Sequence, residues 1–123
     1  ATILIQNLVR ILGVVLIVLG FLFWTHHSYN LVPLHMRLGT ILAGLLIILA
    51  ILGIAARLGF GLTITAIIWA VVLVLFGMNM GALLPGRAHE IIRVVHFLLG
   101  LGAIGLAESL SARIRRNTLV AAP

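Results

Sequence analysis

The chain has 123 residues, of which 63% are hydrophobic and only 8% charged, and its formal net charge at pH 7 is +6. Because a soluble domain would carry roughly a quarter charged residues, this composition predicts an integral membrane protein. All eight cationic residues are arginines at the ends of apolar segments, which indicates lipid headgroups rather than nucleic acid as their partners, and the lack of cysteine excludes disulfides, thiolate metal sites and covalently attached haem.

Four apolar segments are each long enough to cross a bilayer as an α-helix, which takes about 20 residues. Turn signals such as Pro85-Gly86 separate them. The first segment lacks the charged start and cleavage site of a signal peptide, so we expect it to be retained. The fold class is therefore an all-α bundle of four transmembrane helices, a single domain over residues 1–123. The predicted helices cover residues 3–24, 34–56, 62–84 and 88–112.

Four spans place both termini on the same side of the membrane. That side holds five arginines and the opposite side holds three, so the positive-inside rule predicts cytoplasmic termini. We expect the protein to lie in the inner, cytoplasmic membrane of a bacterium. All five histidines then lie toward the outer side: His26, His27, His35, His89 and His96.

The second and fourth segments share the pattern H-x-x-L-G-x-x-x-x-G-L, which begins at His35 and again at His96. The two copies of the pattern are separated by about half the length of the chain. Either duplication of a helical hairpin or coincidence explains this spacing. Because both segments run in the same direction, equivalent residues should lie at similar depth. We therefore expect the two histidines to face one another across the bundle.

Two pairs of glycines follow these histidines. Gly39 and Gly100 lie one turn further along the same helical face, where a missing side chain would let a flat macrocycle approach the backbone. Gly44 and Gly105 lie on the other side of their helices and are expected to support close helix packing.

Two neutral imidazoles on facing helices, within apolar walls, are what a b-type haem requires as axial ligands. We predict His35 and His96 as these ligands, with packing or hydrogen bonding of two interfacial histidines as the alternative. Arg93 lies three residues before His96 on the same face and is a candidate partner for a haem propionate. His89 could hydrogen-bond a propionate or replace one of the two ligands.

Other polar groups in the spans are expected to serve packing. Glu108 should pair with Arg115 or with a polar group of the first segment, and Arg37 with Glu90. Trp69 should pack on a neighbouring helix. The two glutamates lie near opposite ends of the fourth segment and no aspartate is present, which excludes a hydrolase that uses paired carboxylates.

Four helices with histidines on the second and fourth, near one surface, resemble the small membrane b-type cytochromes. The resemblance rests on His35, Gly39, His96 and Gly100 and covers the whole chain in topology. It implies haem b as the cofactor, with (bacterio)chlorophyll or no cofactor as alternatives. Two-haem members of that family carry a second histidine pair near the opposite surface. This chain has none there, so the resemblance implies one haem, or two crowded on the outer side.

Two functions remain open from the sequence. The first is an electron-transfer protein, rather than a self-contained enzyme, that passes electrons between a membrane quinol and a partner on the outer side. The second is an accessory structural or pigment-binding subunit of a larger respiratory or photosynthetic complex. The expected partners are the lipid bilayer, a quinone and other membrane-protein subunits, and nucleic acid is not among them.

Overall fold

Four long helices form the chain, for which a computed structural model describes residues 2–80 and 86–121, with side chains as far as Thr118. Each helix is long and apolar enough to cross a membrane, so the predicted all-α four-helix membrane bundle is confirmed. Short 3₁₀ turns at Tyr29–Leu31 and Gly86–Ala88 lead into the second and fourth helices. The helices are α1 (Thr2–Trp24), α2 (Val32–Ala55), α3 (Phe60–Asn79) and α4 (His89–Ala121).

The fourth helix departs most from the predicted bounds. We expected it to end near residue 112, but α4 continues to Ala121. Arginine is a good helix former. The apolar segment therefore ends before Arg113, Arg115 and Arg116, but the helix continues through them. The predicted end of the third helix at residues 81–84, together with Pro85, lies outside the described residues.

The half of the bundle nearer the termini has a closely packed core. Its largest fully buried apolar side chains are Leu46, Leu49, Leu110 and Val9. Between them lie small residues that allow the helix backbones to approach one another, as membrane helices require for close van der Waals contact. The buried alanines are Ala43, Ala50, Ala66, Ala70, Ala103 and Ala107.

A polar contact within the apolar region joins α1 to α4. The Arg10 Nε and Nη2 atoms donate to the two carboxylate oxygens of Glu108 at 2.6 and 3.0 Å, and the buried Gln6 side chain donates to the same carboxylate at 2.6 Å. The expected partner of Glu108 on the first helix is therefore confirmed. Bringing both charges into the bilayer as a bonded pair avoids leaving either of them alone in lipid.

Helices α1 and α2 end in the same type of turn. The amide of His27 donates to the Leu22 carbonyl at 2.7 Å, and the amide of Leu58 donates to the Gly53 carbonyl at 2.9 Å. These six-to-one bonds are typical of a Schellman motif, whose preceding residue is left-handed and usually glycine. Here the left-handed residues are His26 (φ 64°) and Arg57 (φ 63°). Both turns are short, so consecutive helices run antiparallel.

Trp69 of α3 packs directly on α4, as expected. Its indole Nε1 donates to the Leu99 carbonyl at 2.8 Å. The ring lies against Gly102, where an added Cβ would overlap the indole carbons. Gly102 is therefore required for this contact.

We expect Gly102→Ala to lower the free energy of unfolding by about 1–3 kcal/mol, the usual effect of overpacking a tight contact. Gly105→Ala is the matched control, because a Cβ there meets nothing within 4 Å among the described residues. The control should be neutral or slightly stabilising, since alanine favours the helix. Reversible unfolding in mixed micelles measures both, and equal effects of the two substitutions would contradict the assigned contact.

Candidate functional site: a cavity lined by two histidines

A cavity of about 450 Å³ lies between the four helices, in the half of the bundle away from the termini. Its volume is within the range of about 300–1,000 Å³ that is usual for ligand pockets. Most of its walls are apolar or aromatic side chains. Every site residue predicted from the sequence lines it: His35, Gly39, His89, Arg93, His96 and Gly100.

The two histidines of the repeated pattern meet inside this cavity. The ring centroids of His35 and His96 are 6.2 Å apart, and their planes are inclined by 53°. Phe23 of α1 meets the His35 ring edge-on at 5.4 Å. Phe76 of α3 stacks on the His96 ring at 6.1 Å. Each imidazole is therefore in contact with an aromatic ring of another helix.

Both imidazoles hold a buried nitrogen without a partner. The Nδ1 atoms of His35 and His96 are buried and accept or donate no hydrogen bond within the described part of the chain. Leaving a buried polar group unpaired costs about 1–3 kcal/mol, so such groups call for an explanation. A bound metal or ligand that engages the ring supplies one.

Open space adjoins the histidines at two glycines. A Cβ added to Gly39 or to Gly100 would meet nothing within 4 Å among the described residues. Both glycines line the cavity, so their missing side chains widen it along the backbones of α2 and α4. This is the arrangement that a flat macrocycle needs for close approach to two helices.

Two further glycines lie behind the histidine rings. A Cβ at Gly77 of α3 would stand 3.2 Å from His96 Cε1, and one at Gly20 of α1 would stand 3.9 Å from His35 Cε1. The repeated histidine pattern did not predict that either glycine lies beside a histidine. Their depth in the neighbouring spans, equal to that of the histidines, is the signal that could have found them.

The expectation for Gly44 and Gly105 is wrong. A Cβ added at either position meets no other group within 4 Å among the described residues, so neither glycine marks a close helix contact. Five residues turn a helix by about 140°, which carries Gly44 and Gly105 away from the face that holds Gly39 and Gly100.

An ion pair lies at the mouth of the cavity, at the end of the bundle away from the termini. Arg93 donates from Nη1 to the Glu90 carboxylate at 2.9 Å, and the Trp24 indole donates to the other oxygen of that carboxylate at 3.0 Å. The expected pairing of Glu90 with Arg37 is therefore wrong. Arg93 lies one turn from Glu90 on the same helical face and reaches it directly, whereas Arg37 belongs to another helix.

The donor set fits a tetrapyrrole iron better than a bare metal ion. Within residues 2–80 and 86–121, no group of three or more histidine, cysteine or acidic side chains is close enough to hold an ion. A macrocycle supplies four ligands itself and needs only two axial imidazoles. The 6.2 Å between the two ring centroids leaves room for one metal ion that would be bonded at about 2.0 Å to a nitrogen of each ring.

The same 6.2 Å separation of the centroids also falls within the range of about 4.5–7 Å for packed aromatic pairs. A packed pair, however, requires no void beside it. The open space at Gly39 and Gly100 favours a ligand.

The fold and the cavity together define the class: a four-helix membrane protein with a histidine-lined cavity between its helices. No protein-family model, curated protein or solved structure matches the chain significantly.

Proposed function

We propose that the protein is a membrane-embedded b-type cytochrome in which His35 and His96 hold a haem through axial ligation. One observation carries the proposal: two half-buried imidazoles, each with a buried and unpartnered Nδ1 atom, have ring centroids 6.2 Å apart beside open space at two glycines. A haem held there would supply a one-electron couple, and His35 and His96 are the residues that would hold it. Electron transfer, rather than chemistry on a bound substrate, is therefore the function.

The chain's own residues have separate tasks in this proposal. His35 and His96 would bind the haem iron, while Phe23 and Phe76 pack against the two imidazole rings. The apolar walls exclude water. Arg93, at the mouth of the cavity, and His89, which also lines it, would bind the propionates, because guanidinium and imidazole are suitable hydrogen-bond donors to carboxylates.

The orientation in the membrane follows from the distribution of arginine. The termini side carries five arginines and the other side three, which favours cytoplasmic termini in a bacterial inner membrane. The cavity then lies toward the outer face. A membrane quinol is the proposed electron donor, and a partner at the outer surface is the proposed acceptor.

The ligand assignment has a direct spectroscopic test. We expect the protein, purified in mild detergent with haem supplied, to show a sharp α-band and a shifted Soret band on reduction. His35→Ala and His96→Ala should each abolish that spectrum, because one axial ligand is then missing. His26→Ala and His27→Ala are the matched controls and should keep it, since both residues lie in the exposed turn after α1.

A flat spectrum at good protein yield, or full spectra from both ligand variants, would refute the assignment. Absorption in the far red instead of a haem spectrum would identify a chlorophyll site. That result would favour the alternative function, a pigment-binding subunit of a larger complex.

A second test uses the open space beside the histidines. We expect Gly39→Leu to lower haem affinity at least tenfold, because the new side chain enters the space where the macrocycle would lie. Gly44→Leu is the matched control on the same helix, where nothing lies within 4 Å of an added Cβ but the position does not line the cavity. Haem titration measures the affinities, and circular dichroism checks the helix content. Equal haem affinity in both variants would place the macrocycle elsewhere.

A further inference from the structure

A second cleft, of about 460 Å³, lies at the end of the bundle that carries the termini. Four residues line it: Leu58 from the turn between α2 and α3, and Arg113, Arg116 and Asn117 from the last part of α4. It is therefore separated from the histidine cavity by the packed core.

The walls of this cleft are held in place by hydrogen bonds. The Leu58 amide is fixed to the Gly53 carbonyl at 2.9 Å in the turn that ends α2. Asn117 Nδ2 of α4 donates to the Ala56 carbonyl at 3.1 Å. The extension of α4 beyond its predicted end is thus tied to the α2–α3 turn, and the cleft lies between them.

The described lining of the cleft has two arginines and no carboxylate side chain. The sequence has only two acidic side chains. Glu108 pairs with Arg10 at 2.6 Å and Glu90 pairs with Arg93 at 2.9 Å. Both carboxylates are therefore engaged away from this cleft.

Arg113 and Arg116 are exposed and lie one turn apart on the same helical face. Arg57, next to Leu58, adds a third exposed guanidinium on this side. It occupies a left-handed position where glycine would be less strained.

The cleft lies at the level of the lipid headgroups. The apolar span of α2 ends at Ala55 and that of α3 begins at Phe60, so the turn between them lies at the membrane surface. Phe60, two residues after the half-buried Leu58 that lines the cleft, is 67% exposed and can contact acyl chains. Guanidinium groups bind phosphate through paired hydrogen bonds, and basic pockets between membrane helices bind anionic headgroups.

We propose that this cleft binds the phosphate headgroup of an anionic phospholipid, with Arg113 and Arg116 as the principal ligands. The apolar residues and the depth favour a lipid over free phosphate, which has no acyl chain to contact Leu58 and Phe60. The proposal does not depend on haem, since no residue of the histidine cavity takes part.

The test compares lipids by native mass spectrometry of the full chain in detergent. We expect phosphatidylglycerol to bind at least tenfold more tightly than phosphatidylcholine. The double variant Arg113→Gln/Arg116→Gln should lose that preference. Arg37→Gln/Arg87→Gln is the matched control: it removes two exposed arginines near the other end of the bundle, has the same net charge, and should keep the preference.

Four results would overturn the proposal. The double variant could keep the preference for phosphatidylglycerol, which would mean that Arg113 and Arg116 are not the ligands. The wild-type protein could show no preference for phosphatidylglycerol. The control pair could lose the preference as fully as the cleft pair, which would mean that general surface charge is responsible. Inorganic phosphate at millimolar concentration could displace the lipid, which would mean that the site recognises phosphate alone. If the double variant does not fold, the single variants Arg113→Gln and Arg116→Gln are measured in the same way.

Discussion

Close packing of alanines determines which half of the bundle has a tightly packed core and which half contains a cavity. Helices in lipid gain little from the hydrophobic effect on meeting one another, so small residues that permit van der Waals contact decide how closely they approach. Buried alanines such as Ala50, Ala66 and Ala107 serve this purpose in the half nearer the termini. In the other half, Gly39 and Gly100 face open space. One end therefore supplies stability, while the other can hold a ligand.

His35 and His96 lower the stability of the half of the bundle that contains the cavity. Two buried nitrogens without partners cost about 1–3 kcal/mol each, which is a large part of the 5–15 kcal/mol that usually stabilises a domain. Local features that oppose stability are expected at functional sites. The packed core of the other half, with Leu46, Leu49 and Leu110 fully buried, can compensate for this cost.

Much of the fold and the candidate site could be predicted from the sequence, for a physical reason. A bilayer admits only long apolar helices or closed barrels, so four apolar runs define four helices, and their direction sets the depth of each residue. The similar depth of His35 and His96 in the membrane predicted that the two histidines lie close together. Rotation about the helix axis and side-chain reach were harder to predict, which explains the errors at Gly105 and at the Glu90 pairing. The extension of α4 was missed because arginine ends a membrane span without ending a helix.

The ion pair between Arg93 and Glu90 matters more for where it holds the guanidinium than for the stability that it adds to the fold. The Glu90 side chain is 56% exposed and that of Arg93 27% exposed, and a pair of this kind contributes at most about 1 kcal/mol. Its effect is to hold the guanidinium at the cavity mouth, with Trp24 fixing the other oxygen of the carboxylate. A guanidinium has five N–H donors, so Arg93 can keep Glu90 and still bind a second anionic group. In the proposed cytochrome, a haem propionate would meet a donor that is already in place, which reduces the entropy lost on binding.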